Sequence, residues 1–243
     1  MTRKKLVQHY LMKNGLTCKD EAIDQFLART GSFSPSRIKA IIESAKDYAQ
    51  KTDLSDVLSE ALDDFLFGEP VTVSKQAKER TAYHEAAHAV IAQLLGRNCC
   101  NVSIVARAGG QGGYTYVSNE REFYTKKDVL ESVQVLLAGM AAERLFLGES
   151  GSGASQDLSQ ASELLVKAIT AWGMGRRLLT ISDASPTPAQ LDEAEEMLRS
   201  CLNEAEALVN SQRDLIRTVA EALLEKGTLT SLEIDRIAEQ SRT

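Results

Sequence analysis

The sequence predicts a mainly α fold: a small helical module over residues 1–67, a linker at 68–73, and a larger helical domain over 74–243 that carries a small β-hairpin or sheet. Three observations lead there. Glycine (15) and proline (4) are few in 243 residues and aromatic residues make up only 5%, so helix breakers and strand formers are both scarce. Apolar residues recur at helical spacing over long stretches. Helix-start signatures punctuate the chain, as hydroxyl caps followed by proline or, three residues on, by an acid or amide. With 43% hydrophobic and 26% charged residues, a chain of this length buries a core without disulfides.

The elements follow in order. Thr17, with Asp20 three residues later, reads as a capping box before the periodic run Ala22, Ile23, Phe26, Leu27 and Ala28. Ser34-Pro35 starts a second helix with Ile38, Ile41, Ile42, Ala45 and Tyr48 on one face. A third spans about Asp53 to Phe65, and Gly68-Glu69-Pro70 breaks the pattern. A long helix runs from about Ser74 to Leu95, ended by Gly96 and Asn98. Val102 to Ala106 and Gly113 to Ser118 read as two strands around a glycine-rich segment. Helices are expected at about Thr125 to Leu147 and Ser155 to Trp172, then a loop from Ser182 to Pro188. Thr187-Pro188, with Gln190, starts another helix, and Thr230, with Glu233, starts the last.

Composition excludes several classes. A net charge of −6 without a basic block argues against nucleic acid, whose affinity comes from phosphate neutralisation. Cys18, Cys99, Cys100 and Cys201 form no C-x-x-C, so a disulfide framework or zinc knuckle is not expected and a reducing compartment is. The basic N-terminus is followed by no apolar targeting segment. The most apolar stretch, Val133 to Ala142, is too short to span a bilayer.

One motif carries chemistry: His84-Glu85-Ala86-Ala87-His88, an H-E-x-x-H that holds two of the chain's three histidines. Residues four apart lie on one helix face, so two imidazoles one turn apart can grip one metal ion. Glu85 lies beside them and can reach a water at the metal without being a ligand. Catalytic zinc takes three protein ligands and a water. No third histidine follows the motif, so the third ligand is a carboxylate, a thiolate or the distant His9. Spacing does not choose among them.

Tyr83-His84-Glu85-Ala86-Ala87-His88-Ala89-Val90 resembles the zinc motif of the FtsH-type AAA metalloproteases. Leu137 to Leu145 resembles that family's G-G-R-A-A-E-E-L helix. Gly153-Ala154-Ser155-Gln156-Asp157-Leu158 resembles its G-A-S-N-D-[LF] block, and Trp172-Gly173-Met174 its W-G-M-S block. Leu223 to Leu229 is similar to its L-L-E-K-E-T-L. The resemblance covers most of 74–240. It implies a zinc metallopeptidase domain with zinc on His84, His88 and Asp157, Glu85 as general base, polypeptide substrates and a hexameric ring. Glu143 falls on an acid that recurs in the family, but an exposed helical glutamate explains it as well, and it is left out of the ligand set. Gly112-Gly113-Tyr114-Thr115-Tyr116 resembles the family's strand beside the active site. A substrate could pair with that edge; the alternative is a plain hairpin loop whose glycines supply positive φ.

Leu27 to Ser34 is similar to the lid segment of the family's ATPase module, which makes residues 1–67 lid-like. The departures are as informative. No G-x-x-x-x-G-K-[ST] occurs, so no nucleotide site is expected, and a separate AAA ATPase is a possible partner. Ala87 replaces the family's glycine, and the stretch after Gly173 is shorter. The chain reads as a C-terminal piece of a longer enzyme or as a natural chain without its motor. It is expected to be cytoplasmic as it stands, and membrane-associated if it belongs to, or partners, a membrane-anchored protease. The rival readings are a catalytically silent scaffold of such a ring and a different zinc hydrolase.

Overall fold

The computed structural model describes residues 2–31, 33–49, 57–97, 99–110, 112–117, 123–178 and 185–241. The chain is mainly α, and it divides into two compact units. The first comprises residues 1–73 and 105–112; the second comprises 74–104 and 113–243.

Among the described residues, four helices build the first unit: α1 (Arg3–Lys13), α2 (Asp20–Arg29), α3 (Pro35–Tyr48) and α4 (Val57–Phe67). Ser34 caps α3 through its Oγ, which accepts from the Arg37 N–H, with Pro35 as the first helical residue. Val7, Leu11, Ile23, Phe26, Ile38, Ile41, Ile42, Leu58 and Leu62 close the core. The Thr17 cap is not formed: α2 begins at Asp20, after Lys19, with no side-chain cap. Asp20 and Glu21 instead place negative charge in its first turn, where the helix dipole favours it. The first residues of the expected third helix, through residue 56, lie outside the described residues.

Residues 105–112 fold onto the first unit. The Val71 N–H donates to the Ala106 carbonyl at 2.8 Å, and the Ala108 N–H donates to the Glu69 carbonyl at 2.9 Å. Arg107, almost fully buried, reaches Glu60 at 2.8 Å and Asp63 at 3.7 Å. Gly109 is required by close approach, since a Cβ there would lie 2.7 Å from the Phe67 carbonyl oxygen.

The second unit is built around α5 (Lys75–Leu94). Ser74 caps it, accepting from the Ala77 N–H at 3.1 Å, and Gly96 ends it at φ +69°. Its buried alanines at 82, 86, 87, 89 and 92 let neighbours approach closely. Against it lie α6 (Lys126–Leu147) and α9 (Arg213–Lys226), while α7 (Ser155–Thr170) and α8 (Pro188–Ser211) pack on α6, and α10 (Ser231–Gln240) closes the chain. The capping boxes of Thr187 with Gln190 and Thr230 with Glu233 form as expected, and a third, of Thr125 with Asp128, opens α6. The first residues of the expected Ser182 to Pro188 loop lie outside the described residues.

A three-stranded antiparallel sheet, ordered β2-β1-β3, lies beside α5. β1 is Cys99–Ser103, β2 is Tyr114–Val117 and β3 is Thr228–Thr230. Val102 pairs with Thr115 on one side and Leu229 on the other. The expected strand from Val102 to Ala106 is thus displaced toward the N-terminus, because residues 105 and 106 leave with the first unit. Ser118, the end of the second expected strand, lies outside the described residues. Among the described residues no helix is long and apolar enough to cross a membrane.

Candidate metal centre

His84 and His88 lie in the middle of α5, one turn apart on one face, 8% and 7% exposed. Their rings meet at 4.6 Å between centroids. Asp157 is in the first turn of α7, preceded by a 3-10 turn at Ser152–Ala154 that aims the helix start at α5. Its Oδ2 lies 3.0 Å from His84 Nε2 and 3.4 Å from His88 Nε2. Two imidazole nitrogens and a carboxylate oxygen, all within 4.8 Å of one another, therefore converge on one point. That is a donor set and size suited to zinc.

The far sides of both rings are held. His88 Nδ1 donates to the Val135 carbonyl at 2.7 Å, which fixes the tautomer with Nε2 free to ligate. His84 Nδ1 donates to Glu143 Oε1 at 2.8 Å. Glu143 is fixed in turn: its Oε2 accepts from Arg80 at 2.5 Å and from the Gly151 N–H at 2.7 Å. The exposed reading of Glu143 is corrected here, for the residue is 1% exposed and serves as the anchor of His84. Gly139 makes room for the same ring, since a Cβ there would lie 2.5 Å from His84 Nε2.

Charge follows from these contacts. Burial opposes protonation of His84, but its hydrogen bonds to Asp157 and Glu143 outweigh that and hold its pKa at about 10. Burial also acts against the Asp157 anion, yet the two imidazoles keep its carboxyl well below the usual range. Glu143 is likewise held low, against burial, by His84, the Gly151 amide and Arg80. Glu85 moves the other way: burial pushes its carboxyl up, with His88, His84 and the Thr115 hydroxyl pulling it back.

The glycine-rich residues divide. Gly112 is exposed, whereas Gly113 is buried where the chain enters β2. Gly110 takes the positive φ that a hairpin loop asks for, at +88°, and Gly113 does not. The Tyr114 hydroxyl accepts from Asn101 at 3.0 Å, and the Thr115 hydroxyl lies on Glu85. Of the other ligands left open by spacing, His9 is exposed on α1 against Tyr10, and Cys99 and Cys201 are buried in the apolar core. Sequence reasoning missed Arg80, Gly139 and the Val135 carbonyl. Arg80 alone carried a local signal, one turn ahead of His84 on the same face.

A mainly α domain with an H-E-x-x-H helix and an acid delivered from a second helix is the architecture of a zinc metallopeptidase. This chain belongs to peptidase family M41, whose model matches residues 71–237. Among curated relatives, the ATP-dependent zinc metalloprotease FtsH 2 of Sphaerobacter thermophilus is 31% identical over 90% of this chain and 37% of its own length. FtsH 1 of Sorangium cellulosum is 35% identical over 68% of this chain and 30% of its own. The FtsH of Lachnoclostridium phytofermentans is 28% identical over 98% of this chain and 44% of its own. The chain thus spans less than half the length of these relatives.

Proposed function

We propose that the chain is a zinc-dependent endopeptidase acting on polypeptides, the proteolytic component of an FtsH-type ATP-dependent protease. One observation carries the reading: the convergence of His84, His88 and Asp157, with the Glu85 carboxyl within their electrostatic reach. These three residues would hold zinc, with Glu143 and the Val135 carbonyl setting the two rings. Zinc in such a set supplies Lewis acidity, which polarises a scissile carbonyl and makes a water nucleophilic near neutral pH. Glu85 takes the proton of the attacking water and returns it to the departing amine. Burial supports that role, since a carboxyl held above its usual range both accepts and releases a proton readily.

The substrate would lie as an extended strand along Gly112, Gly113, Tyr114 and Thr115. Among the described residues β2 is the end strand of its sheet, paired with β1, and a substrate strand would add there through main-chain pairing. Such pairing reads little sequence, as suits degradation. Residues 1–67 would serve as a lid-like module joined by 68–73 to the peptidase domain at 74–243. The apolar faces of the long C-terminal helices would support a homo-hexamer, and a separate AAA ATPase would supply unfolding.

The test is zinc content and casein cleavage for wild type and Glu85→Gln. The variant is nearly isosteric and removes the base alone. It should keep about one zinc per chain and lose activity by about 10² or more. Equal cleavage by both proteins, or a wild type that binds no zinc, would sink the proposal.

A further inference from the structure

The strand that would receive substrate also touches the proposed base. Thr115 pairs with Val102 in the centre of the β1–β2 ladder. Gly113 brings this strand close to α5. A Cβ at 113 would meet Thr81 Cγ2 at 2.4 Å, the Ser103 carbonyl oxygen at 2.9 Å and Glu85 Cγ at 3.1 Å. With that approach, Thr115 Oγ1 lies 2.8 Å from Glu85 Oε2 and 3.0 Å from the Glu85 carbonyl oxygen. A hydroxyl has one proton to give. The carbonyl lies inside α5 and is served there by the helix itself. The carboxylate is buried and takes no other hydrogen bond among the described residues. An ionised acceptor also makes the stronger bond.

We propose that Thr115 is the positioning residue of Glu85: its hydroxyl donates to Oε2, holds the carboxylate in one rotamer and leaves Oε1 to receive the proton of the attacking water. The proposal rests on Glu85 being the general base. Threonine suits the task because its β-branch stiffens χ1, so the donor is fixed before the acceptor arrives. Glutamate has three side-chain torsions and would otherwise sample several directions. One short strand would then align the substrate through its main chain and the base through a side chain.

Thr115→Val keeps shape, strand propensity and main chain while removing the donor; Thr115→Ser restores the donor. Zinc content should be unchanged in both. On an unfolded polypeptide, kcat of Thr115→Val should fall about tenfold or more with KM unaltered, and serine should recover most of it. In a Glu85→Gln background the valine should cost nothing further. Crystal structures give the readout that does not depend on activity: in Thr115→Val the Glu85 carboxylate should turn or occupy more than one rotamer. A Glu85 unmoved in that structure overturns the proposal, whatever the kinetics. So does an equal loss in the Glu85→Gln background, which would mean that the hydroxyl acts on substrate. A wild type no faster than Glu85→Gln defeats the general-base reading instead, and the rotamer still reports on the Thr115 contact.

Discussion

A methyl group at position 139 would sit 2.5 Å from both Cε1 and Nε2 of His84. No side chain tolerates such a contact, so the ring or the helix must move. The ring has no free retreat, because Nδ1 is tied to a Glu143 that Arg80 and Gly151 hold from behind. Gly139→Ala should therefore turn the imidazole off its axis and weaken zinc binding about ten- to a hundredfold. Competition against a graded series of chelators measures this, and unchanged affinity would show that the ring has room elsewhere. A second residue sets a pH response in the first unit. Burial, then a hydrogen bond to Asp64 and that residue's charge, push the Tyr48 phenol up to about 12. A folded pKa above the unfolded value of about 10 stabilises the fold fully below pH 10 and is lost as pH rises through 12. Absorbance titration should show the Tyr48 phenol ionising near pH 12. Tyr48→Phe should remove that component, and its presence in the variant would reassign the phenol. At this scale the H-E-x-x-H residues were legible because helical spacing alone puts them together. That Asp157 meets the two imidazoles was legible only through family resemblance: it is 73 residues from His84, and any of many acids satisfies composition. Glu143 was misread because burial is settled by α5, which its own helix does not announce.

Among the elements, α6 carries the most of the site, for it supplies Gly139, Glu143 and the Val135 carbonyl. Its start is fixed by Thr125, whose Oγ1 accepts from the Asp128 N–H while the Asp128 carboxylate accepts from the Thr125 N–H. Thr125→Ala should cost about 1 kcal/mol of stability, read from the urea midpoint. Glu143 lies about five turns further on, so zinc per folded molecule should be unchanged. A variant with wild-type stability would show that the box is dispensable in this helix. Helix starts of this kind were legible at Ser34, Thr187 and Thr230 because the signal lies within four residues. β3 was not, for its three residues, the last of which is the cap of α10, are too few to show alternation. The first strand was placed too late because Val105 and Ala106 are as apolar as Val102 and Ile104. What separates them is the pairing of Ala106 with Val71, a contact 35 residues away. The division of α8 from α9 at Gln212 has no glycine or proline to mark it.

For the whole molecule, the proposed peptidase activity meets a sequence that carries no G-x-x-x-x-G-K-[ST]. Hydrolysis of a peptide bond by zinc is downhill and needs no ATP, but an extended segment would have to reach the proposed site beside β2. A folded domain, stable by about 5–15 kcal/mol, offers such a segment only in rare openings. Exposing it on demand takes work, and the 243 residues contain no phosphate loop to couple that work to ATP. The isolated chain should therefore cleave casein slowly, at a rate indifferent to added ATP, and leave a tightly folded domain intact over the same period. Destabilising that folded substrate by about 1.4 kcal/mol should raise its cleavage about tenfold, because the open population rises by that factor. The measurement is the rate on casein and on a graded series of destabilised substrates, with and without ATP. ATP-stimulated degradation of the stable substrate by partner-free protein would reveal a nucleotide site and defeat the argument. Degradation that appears only when a separate AAA ATPase is supplied would make the chain the proteolytic half of a two-component machine.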